Sequence, residues 1–528
     1  MRERIVRTLV VLSVLFVFQT GVADETICND GKEESRRKNK DINLNIEKAL
    51  PPEKRAETDH VLKVGELDLH YHATAGTLPI KIEEGTECRI FFISYELQSD
   101  ASRPLTFVFN GGPGASSAYL HLAALGPRRV IFNKDGGMPG PPSRLAKNIH
   151  TWLRFTDLVF VDPIGTGYSR CVSAQGDGKK EKGEAETGVW GVQEDLTSLA
   201  KFIRLYLTRS SRWLSPKFLV GESYGGFRVA ALSDLLTSDY GVSPNGIILV
   251  SPALEFGHLM RDEYRLLPWV VTLPSYAATA AYHKKAEKTS EIRDLRASLQ
   301  EIEDFAVRAL LPALAETHIS EINATIAGYI GLPESLVERL NGRISPMLFA
   351  KELLRGDSRL ISMYDGSWTV IDPVPASPFP PKDDPLLVSI NTLLTAGLNS
   401  YMREHLKFET DIPYMVLNKD ISKKWNWKSG LISGQGFAGV TENLKNSMST
   451  NKALKVFIAH GVFDLVTPYF GSVILTKQMS LNSAVASNLS LKVYEGGHMF
   501  YTHMEGRIEF FEDARHFFKS AFSADLKK

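Results

Sequence analysis

The chain has 528 residues, enough to bury a large core and to hold an enzyme domain with insertions. Its 61 basic and 61 acidic residues balance, so net charge gives no reason to expect nucleic acid or an anionic membrane as a partner. With 43% hydrophobic and 23% charged residues, its composition is that of a globular protein.

The first 23 residues have the three-part pattern of a secretory signal peptide. A basic segment, Met1–Arg7, precedes an apolar segment, Thr8–Phe18, and the small residues of Gly21–Ala23 provide a cleavage site. The apolar segment is too short and wrongly flanked for a membrane span, so we expect no span after cleavage; an uncleaved signal anchor is the alternative. The sequence therefore predicts an exported protein, periplasmic or secreted.

The cysteine content is low for an exported protein. Only Cys28, Cys88 and Cys171 are present, so at most one intramolecular disulfide can form. This content fits an exported bacterial protein better than a disulfide-stapled eukaryotic secreted enzyme.

Residues 24–60 are charged and poor in aromatic side chains, which predicts a flexible leader. Strand-like segments then alternate with helical ones up to residue 256. The predicted strands include "LPIKI", "CRIFFISYEL", "PLTFVFNGG", "TDLVFVDPIG", "KFLVGESYGG" and "NGIILVSPAL". The predicted helices are "VQEDLTSLAKFIRLYLTRS" and "FRVAALSDLLTS". This alternation indicates a mostly parallel central sheet flanked by helices, with its first part at 61–256.

Residues 257–439 change to a mainly helical pattern. Strand signals return after them in "LKVFIAHGVFD" and "LSLKVYEGGHMF". We therefore predict one core domain that is interrupted by a largely helical cap and completed by residues 440–528.

Gly221-Glu-Ser-Tyr-Gly225 fits the pattern G-x-S-x-G and lies between a predicted strand and a predicted helix. Such a turn needs glycines on both sides, because the nucleophile's backbone is strained and packed closely against its neighbours. The turn lifts the serine Oγ above the sheet. The context predicts that Ser223 is the nucleophile of an α/β-hydrolase fold; a glycine-rich turn with an idle serine is the alternative.

A serine at its ordinary pKa needs a base, and the base needs an acid to orient it. In α/β-hydrolases these residues come later in the chain, in the order serine, acid, histidine. Asp464 and His498 follow the last two predicted strands, at the sheet edge where such folds build their sites. We therefore predict a catalytic triad of Ser223, Asp464 and His498.

Three other polar residues are weaker candidates for this chemistry. His460 precedes Asp464, which is the wrong order, and we interpret it as structural. Asp162 ends an earlier predicted strand and is interpreted as holding the turn Gly165–Gly167. His503 lies beyond the last turn and is interpreted as a packed or surface histidine. The sequence has no H-E-x-x-H and no Cys/His pair at ligand spacing, so no metal and no other cofactor is expected.

The glycine-rich segment 107–117, "FVFNGGPGASS", follows an early strand. It lacks the Lys-Ser/Thr of a Walker A loop and also fails G-x-G-x-x-G, so a nucleotide site is a poor interpretation. A hydrolase with its nucleophile on a later strand needs N–H donors from such a loop to hold the oxyanion. We predict that the N–H groups of Gly112 and Tyr224 form the oxyanion hole, with a purely structural turn as the alternative.

Five motifs together resemble the serine carboxypeptidase family of α/β-hydrolases. They are "FNGGPGASS", "DPIGTGYS", "GESYGG", "GVFDLVTP" and "GGHM", in the family's order. The sequence "RPLTFVFNGGPGASS" with few cysteines is similar to the family's bacterial-type branch. The resemblance implies that Asn110 and Glu222 bind the C-terminal carboxylate of a peptide. Glu222 must then carry a proton to donate a hydrogen bond, so activity should favour acidic pH.

The sequence departs from the family at three positions. Ala124 stands where well-known members have a second glutamate that shares a proton with the first. Val108 stands in place of a tryptophan and Ala115 in place of a cysteine. Arg128 or Arg129 is a candidate for a compensating positive charge, and ordinary surface arginines are the alternative.

The first functional hypothesis is an exported serine-type carboxypeptidase that cleaves C-terminal peptide bonds through an acyl-enzyme. An esterase, an acyltransferase or a broader peptidase with the same triad is the second hypothesis. A non-catalytic binding protein on a hydrolase scaffold is the third. Peptides are the expected partners, and a homodimer is possible.

Overall fold

The computed structural model describes residues 50–51, 53–82, 86–99, 103–173, 188–286, 295–316, 319–428 and 438–522. The predicted signal peptide at 1–23 and Cys28 lie outside the described residues. Within them, no helix is both long and apolar enough to cross a membrane.

A ten-stranded mixed sheet forms the centre of the described structure. Its strand order is β1-β2-β3-β7-β4-β9-β10-β13-β14, with β8 paired to β3. Two two-stranded sheets, β5-β6 and β11-β12, lie beside it. The strands are β1 Arg55–Val64, β2 Leu67–Lys81, β3 Thr86–Leu97, β4 Leu105–Phe109, β5 Arg128–Val130, β6 Leu145–Lys147, β7 Asp157–Val161, β8 Arg170–Ser173, β9 Lys217–Glu222, β10 Gly246–Val250, β11 Arg359–Ile361, β12 Thr369–Ile371, β13 Lys455–Gly461 and β14 Leu489–Tyr494.

The strands from β7 to β14 along this order are parallel, and β1, β2, β3 and β7 pair antiparallel. Each of the strand segments predicted from the sequence falls in one of these strands. The parallel half explains the predicted strand–helix alternation, since parallel neighbours need crossover connections. It also brings the carboxyl ends of β4, β9, β13 and β14 to one edge of the sheet.

The predicted flexible leader at 24–60 extends too far along the chain. Residues 55–60 belong to β1, and the pairing of Arg55 with Gly76 and of His60 with Tyr71 adds them to the sheet edge. Most side chains of β1 are exposed or half-buried, so the segment carries the charge and polarity that we associated with a leader. An edge strand with a solvated face needs little apolar sequence.

Helices cover both faces of the sheet. They are α1 Ala118–Leu120, α2 Val192–Arg209, α3 Tyr224–Asp239, α4 Leu267–Val270, α5 Leu273–Tyr282, α6 Leu295–Phe305, α7 Leu311–Glu316, α8 Asn323–Ile330, α9 Glu334–Arg339, α10 Pro346–Glu352, α11 Pro385–Glu404, α12 Lys419–Lys424, α13 Thr441–Thr450, α14 Tyr469–Gln478, α15 Ser483–Ala486 and α16 Met504–Phe522. Val108 of β4 faces a cluster built with α11 and α16, while Phe107 and Phe109 face a cluster built with α2, α3 and α13. The two faces of the sheet therefore each bury an apolar core, as a strand with alternating side chains requires.

A third apolar cluster lies within the segment predicted as a cap. It joins α5, α8 and α10 to residues that follow β13, such as Val462 and Phe470. Helix α11 packs differently: Ile390 and Leu394 belong to the cluster on the sheet face. The described part of 257–439 therefore holds both a helical subdomain and a helix of the core, and the cap boundaries stay a prediction.

Cys88 and Cys171 form a disulfide between β3 and β8. The two residues face each other in the antiparallel register of these strands. The bond closes a segment with a sequence separation of 83 residues. It joins the strand β8, which follows the "DPIGTGYS" motif, to the central sheet.

Candidate active site

Ser223 lies in the sharp turn between β9 and α3. Its φ of 60° and ψ of −124° place it in a backbone conformation that non-glycine residues rarely adopt. Glycines make this turn possible: a Cβ on Gly221 would fall 2.9 Å from the N atom of Gly226. The side chain of Ser223 is partly exposed at the end of the strand. This is the geometry expected of the G-x-S-x-G motif.

His498 and Asp464 meet although they follow different strands. The Nδ1–H of His498 donates to Oδ2 of Asp464 over 2.8 Å, and both side chains are buried. The backbone N–H groups of Val466 and Thr467 donate to the other carboxylate oxygen, Oδ1, over 2.8 and 2.9 Å. These donors fill the acceptor positions of the buried carboxylate. The bond from Nδ1–H to Asp464 holds the imidazole of His498 in the tautomer that has its proton on Nδ1.

The two groups shift each other's pKa. Burial favours the neutral form of Asp464, but the His498 imidazolium and the hydrogen bonds outweigh it and lower the pKa of Asp464. Burial favours neutral His498 as well, but the Asp464 carboxylate outweighs it and raises the pKa of His498. Asp464 is therefore the acid that stays ionised, and His498 is the group that gains and loses the proton.

The turn of Ser223 and the loop of His498 are both hydrogen-bonded to the end of β10 and to the residues that follow it. The N–H of Ser223 donates to the carbonyl of Val250 over 2.9 Å, and the N–H of Ala253 donates to the carbonyl of Ser223 over 3.2 Å. Ser251 Oγ donates to the carbonyl of His498 over 2.8 Å. The structure thus brings the three residues of the predicted triad to one end of the parallel strands.

The glycine loop lies directly against the turn of Ser223. A Cβ on Gly111 would fall 2.5 Å from the N atom of Tyr224, so only glycine allows this approach. Gly112 has a φ of 101°, a conformation that also favours glycine. The carbonyl of Gly111 accepts from the N–H of Ala115 over 3.0 Å, which closes the loop. The loop and the first residue of α3 are therefore adjacent, as the predicted oxyanion hole requires.

Glu222 and Asn110 are neighbours in the same buried region. Asn110 Nδ2 donates to Glu222 Oε2 over 2.6 Å, and its Oδ1 accepts from the N–H of Leu120 over 3.1 Å. Burial raises the pKa of Glu222 to about 7, against the opposing effects of His498 and of the hydrogen bonds from Tyr501 and Asn110. Glu222 therefore gains a proton in a pH range in which an exposed glutamate is fully ionised.

Tyr501 is a site residue that the sequence analysis missed. Its hydroxyl donates to Glu222 Oε2 over 2.6 Å, and its side chain is fully buried. Both donors to Glu222, Tyr501 and Asn110, therefore bind the same oxygen. The ring of Tyr364 packs edge-on against His498 with 5.4 Å between centroids, and the N–H of His498 donates to the Tyr364 carbonyl over 2.6 Å. No local sequence pattern marks these tyrosines, although Tyr501 lies three residues after His498 in "GGHMFY".

The three weaker candidates have structural partners. His460 is buried, lies 2.8 Å from Ser472 Oγ through Nε2, and has its pKa lowered to about 4 by burial. Asp162 packs against Gly167 of the predicted turn and also accepts from the N–H and Oγ–H of Ser117, over 2.9 and 2.8 Å. It therefore supports the glycine loop, which the sequence analysis did not foresee.

His503 is half of a second buried histidine–aspartate pair. Its Nε2 lies 2.7 Å from Oδ2 of Asp365. The same oxygen accepts from the N–H of Gly497, the residue before His498, over 3.1 Å. His503 is therefore a packed histidine, and its partner supports the loop of His498.

Ala124 and the two arginines have other described partners than Glu222. The carbonyl of Ala124 accepts from Asn148 Nδ2 over 2.7 Å, and its side chain is buried in the sheet-face core. Arg129 donates to the carbonyl of Val130 and acts electrostatically on Arg507. Arg128 acts on Tyr71 and His405. The charges with the largest effect on the pKa of Glu222 are those of His498 and Asp464, and a compensating role for the arginines stays a prediction.

The sheet order, the serine turn between β9 and α3 and the loops after β13 and β14 are those of the α/β-hydrolase fold. A sequence model described as "Serine carboxypeptidase" matches residues 67–246. The pheromone-processing carboxypeptidase KEX1 of Yarrowia lipolytica is 22% identical over 408 residues, which are 74% of this chain and 55% of that protein. Serine carboxypeptidase-like 29 of Arabidopsis thaliana is 30% identical over 164 residues, which are 30% of this chain and 31% of that protein.

The fold has a counterpart among solved structures. The crystal structure of Kex1(delta)p, a prohormone-processing carboxypeptidase from Saccharomyces cerevisiae, aligns with a TM-score of 0.50 at 15% identity, over 86% of this chain and 94% of that one. The chain spans about half the length, or less, of the curated relatives it matches. Its residues 67–246 are therefore similar to the serine carboxypeptidase family.

Proposed function

We propose that this protein is a serine-type carboxypeptidase that hydrolyses C-terminal peptide bonds through an acyl-enzyme. The observation that carries the proposal is the buried Glu222 directly before Ser223, with a pKa raised by burial to about 7 and with hydrogen bonds from Asn110 and Tyr501. A protonated Glu222 beside the nucleophile can donate a hydrogen bond to a substrate carboxylate, a group that a peptide has at its C-terminus and that a simple ester lacks.

In the proposed reaction, Ser223 Oγ attacks the scissile carbonyl carbon and His498 Nε2 takes the hydroxyl proton. Asp464 holds the Nδ1–H of His498 and stabilises the imidazolium that forms. The negative oxygen of the tetrahedral intermediate accepts from the N–H groups of Gly112 and Tyr224. His498 then gives its proton to the amine of the departing amino acid, and a water molecule hydrolyses the acyl-enzyme by the same steps in reverse.

The free carboxylate of the substrate is the feature that the proposed site recognises. Asn110 Nδ2 has a second N–H beyond the one that it donates to Glu222, and this group can donate to a carboxylate. Glu222 can donate only when it is protonated, and an ionised Glu222 repels the substrate. Both of its described hydrogen bonds fall on Oε2, so a proton on Oε1 can face the substrate.

Glu222 and His498 titrate as a coupled pair. The ionised carboxylate of Glu222 raises the pKa of His498, and the His498 imidazolium lowers that of Glu222. The productive state has the proton on Glu222 and a neutral His498, and a bound substrate carboxylate favours this distribution because it disfavours a charged Glu222. The proposed enzyme therefore works below the pKa of Glu222, in the acidic range.

The test compares blocked dipeptides that have free or amidated C-termini across a pH series. We expect the free acids to be cleaved faster than the amides, with the difference largest below about pH 7, the pKa of Glu222. Labelling by a fluorophosphonate, and its loss in Ser223→Ala, identifies the nucleophile. Equal rates on acids and amides would favour an endopeptidase or an esterase, and absence of labelling would favour a binding protein.

We also propose that the protein is exported, which rests on the signal-like pattern at 1–23. Peptides are its proposed substrates. Expression with and without residues 1–23, followed by fractionation and N-terminal sequencing, tests export. A full-length protein that stays in the cytoplasmic fraction would contradict export, and an exported protein that still begins at Met1 would show that the signal is not cleaved.

A further inference from the structure

Arg228 and Asp195 form a fully buried ion pair beneath the serine turn. Arg228 lies on α3, one turn after Tyr224, and Asp195 lies in the first turn of α2. The guanidinium Nε donates to Asp195 Oδ2 over 2.7 Å, and the two side chains are 1% and 3% exposed. The pair therefore connects two helices on one face of the sheet.

The guanidinium makes two further contacts, and both reach the predicted oxyanion hole. Its Nη1 donates to the carbonyl oxygen of Asn110, two residues before Gly112. Its central carbon lies 5.1 Å from the centroid of the Tyr224 ring, a cation–π distance. One side chain thus contacts both segments that carry the predicted N–H donors.

The contact with Asn110 lies just beyond the hydrogen-bonded part of strand β4. Strand β4 ends at Phe109, so the Asn110 carbonyl lies beyond the ladder that pairs β4 with β9. A Cβ on Gly225 would fall 2.9 Å from this oxygen, so the loop and the start of α3 are already in close contact. A small rotation of the Asn110 peptide would move the following glycines and the direction of their N–H groups.

The contacts of the Arg228 guanidinium, and not the burial of its ion pair, point to a role beyond stability. Removing two charges from water costs several kcal/mol per ion, and well-packed apolar residues often replace such pairs without loss of stability. Arginine offers what an apolar side chain lacks, namely several N–H donors in a rigid plane. Here that plane joins Asp195, the Asn110 carbonyl and the Tyr224 ring.

We propose that Arg228, held by Asp195, is a positioning residue that sets the geometry of the oxyanion hole by fixing the Asn110 peptide relative to Tyr224. This inference rests on the proposed function of Ser223, Gly112 and Tyr224. Arg228 itself does not touch the substrate. Its effect should appear in the rate of the chemical step and not in substrate affinity, because the oxyanion exists only during the reaction.

The test uses the rate of Ser223 phosphonylation by a fluorophosphonate. Its phosphoryl oxygen gains negative charge as Ser223 Oγ attacks phosphorus and fluoride leaves, and it occupies the same hole whatever the natural substrate is. Arg228→Met should slow labelling about a hundredfold, the effect of losing or misplacing one oxyanion donor. Peptide hydrolysis should lose kcat by a similar factor while KM changes by less than about threefold. Arg228→Lys should give partial rescue, since lysine keeps the charge but not the fork of donors.

Lys351 and Asp372 provide a matched control. Their ion pair is as buried as that of Arg228 and lies in the helical subdomain. Lys351→Met should lower the thermal midpoint and leave the labelling rate within about twofold, because it leaves a buried charge unpaired away from the site. This control separates the effect of lower stability from the effect of a distorted oxyanion hole.

The double variant Arg228→Met/Asp195→Leu distinguishes a role of Arg228 in positioning the oxyanion hole from a role in protein stability alone. It removes both charges, so we expect stability to recover relative to Arg228→Met while labelling stays slow. Recovery of the labelling rate in the double variant, or a normal rate in Arg228→Met, would overturn the proposal. A wild-type protein that is labelled rapidly but cleaves no peptide would contradict the proposed substrate and leave the positioning role standing.

Discussion

Tyr501 donates its hydroxyl proton to Oε2 of Glu222 over 2.6 Å, across a sequence separation of 279 residues. Asn110 donates to the same oxygen, so the carboxyl group is held from two sides in a buried environment. The family resemblance predicted a second glutamate, at the position of Ala124, as the partner that shares a proton with Glu222. In the described structure Tyr501 and Asn110 are the polar partners of Glu222.

Glu222→Gln should change the alkaline limb of the pH–activity profile and leave the acid limb in place. The alkaline limb, which reflects loss of the Glu222 proton at a pKa of about 7, should disappear. The acid limb reflects protonation of His498 and should stay, because Glu222 is already protonated and uncharged in that range, as glutamine is. Measuring kcat/KM from pH 4 to 9 on a free-acid peptide checks both. An unchanged alkaline limb would show that another group titrates there.

Tyr501→Phe should move the alkaline limb to higher pH. Burial raises the pKa of Glu222, and the hydrogen bond from Tyr501 lowers it. Removing that hydrogen bond should therefore raise the pKa of Glu222 further. Loss of this buried hydrogen bond should also cost about 1 kcal/mol of stability. The same pH series with urea unfolding tests the variant, and a shift to lower pH would contradict the role given to Tyr501.

Gly111→Ala should reduce activity without unfolding the protein. The new Cβ would lie 2.5 Å from the N atom of Tyr224 and 2.7 Å from the carbonyl oxygen of Glu222, so the loop must move away from the serine turn. We expect kcat to fall roughly a hundredfold, as for loss of one oxyanion donor. Gly140→Ala is the matched control, because no atom lies within 4 Å of its added Cβ. Normal kcat in Gly111→Ala would place the oxyanion elsewhere.

Asp162→Asn should stabilise the protein at neutral pH. Burial raises the pKa of Asp162 from 3.8 to about 6, so the stability it contributes is present at low pH and is lost as pH rises through about 6. Asparagine stays neutral and can still accept from Ser117 through Oδ1. Urea unfolding should show a gain of about 1–3 kcal/mol at pH 8 that vanishes below pH 4. A loss of stability at pH 8 would contradict this expectation.

Removing the Cys88–Cys171 disulfide should destabilise the protein. The bond closes a segment with a sequence separation of 83 residues, so its loss frees the unfolded chain and costs about 2–4 kcal/mol. The double variant Cys88→Ala/Cys171→Ala should melt at a lower temperature than the parent. Adding a reductant should destabilise the parent and leave the double variant unchanged; equal effects on both would mean that the disulfide is not formed.

The amino-acid sequence by itself determined which segments carry the predicted site residues and in which order they follow along the chain. The G-x-S-x-G turn, the glycine loop and the residues after the last two strands are local patterns, because each needs a strand end, a glycine or a small number of neighbours. The parallel strands could also be predicted from local sequence, since Val, Ile, Leu and Phe fill segments that are buried on both faces. The edge strand β1 was not predicted, because a strand with a solvated face contains few apolar residues.

The tertiary structure alone decided which distant side chains meet. The Tyr501–Glu222 bond, the support of the glycine loop by Asp162 and the contact of Arg228 with Asn110 join residues from different strands and helices. Such contacts depend on strand order and helix packing, which leave no periodic trace in the sequence. The pKa of Glu222 has the same origin, because burial by the assembled fold, and no property of neighbouring sequence, raises it to about 7.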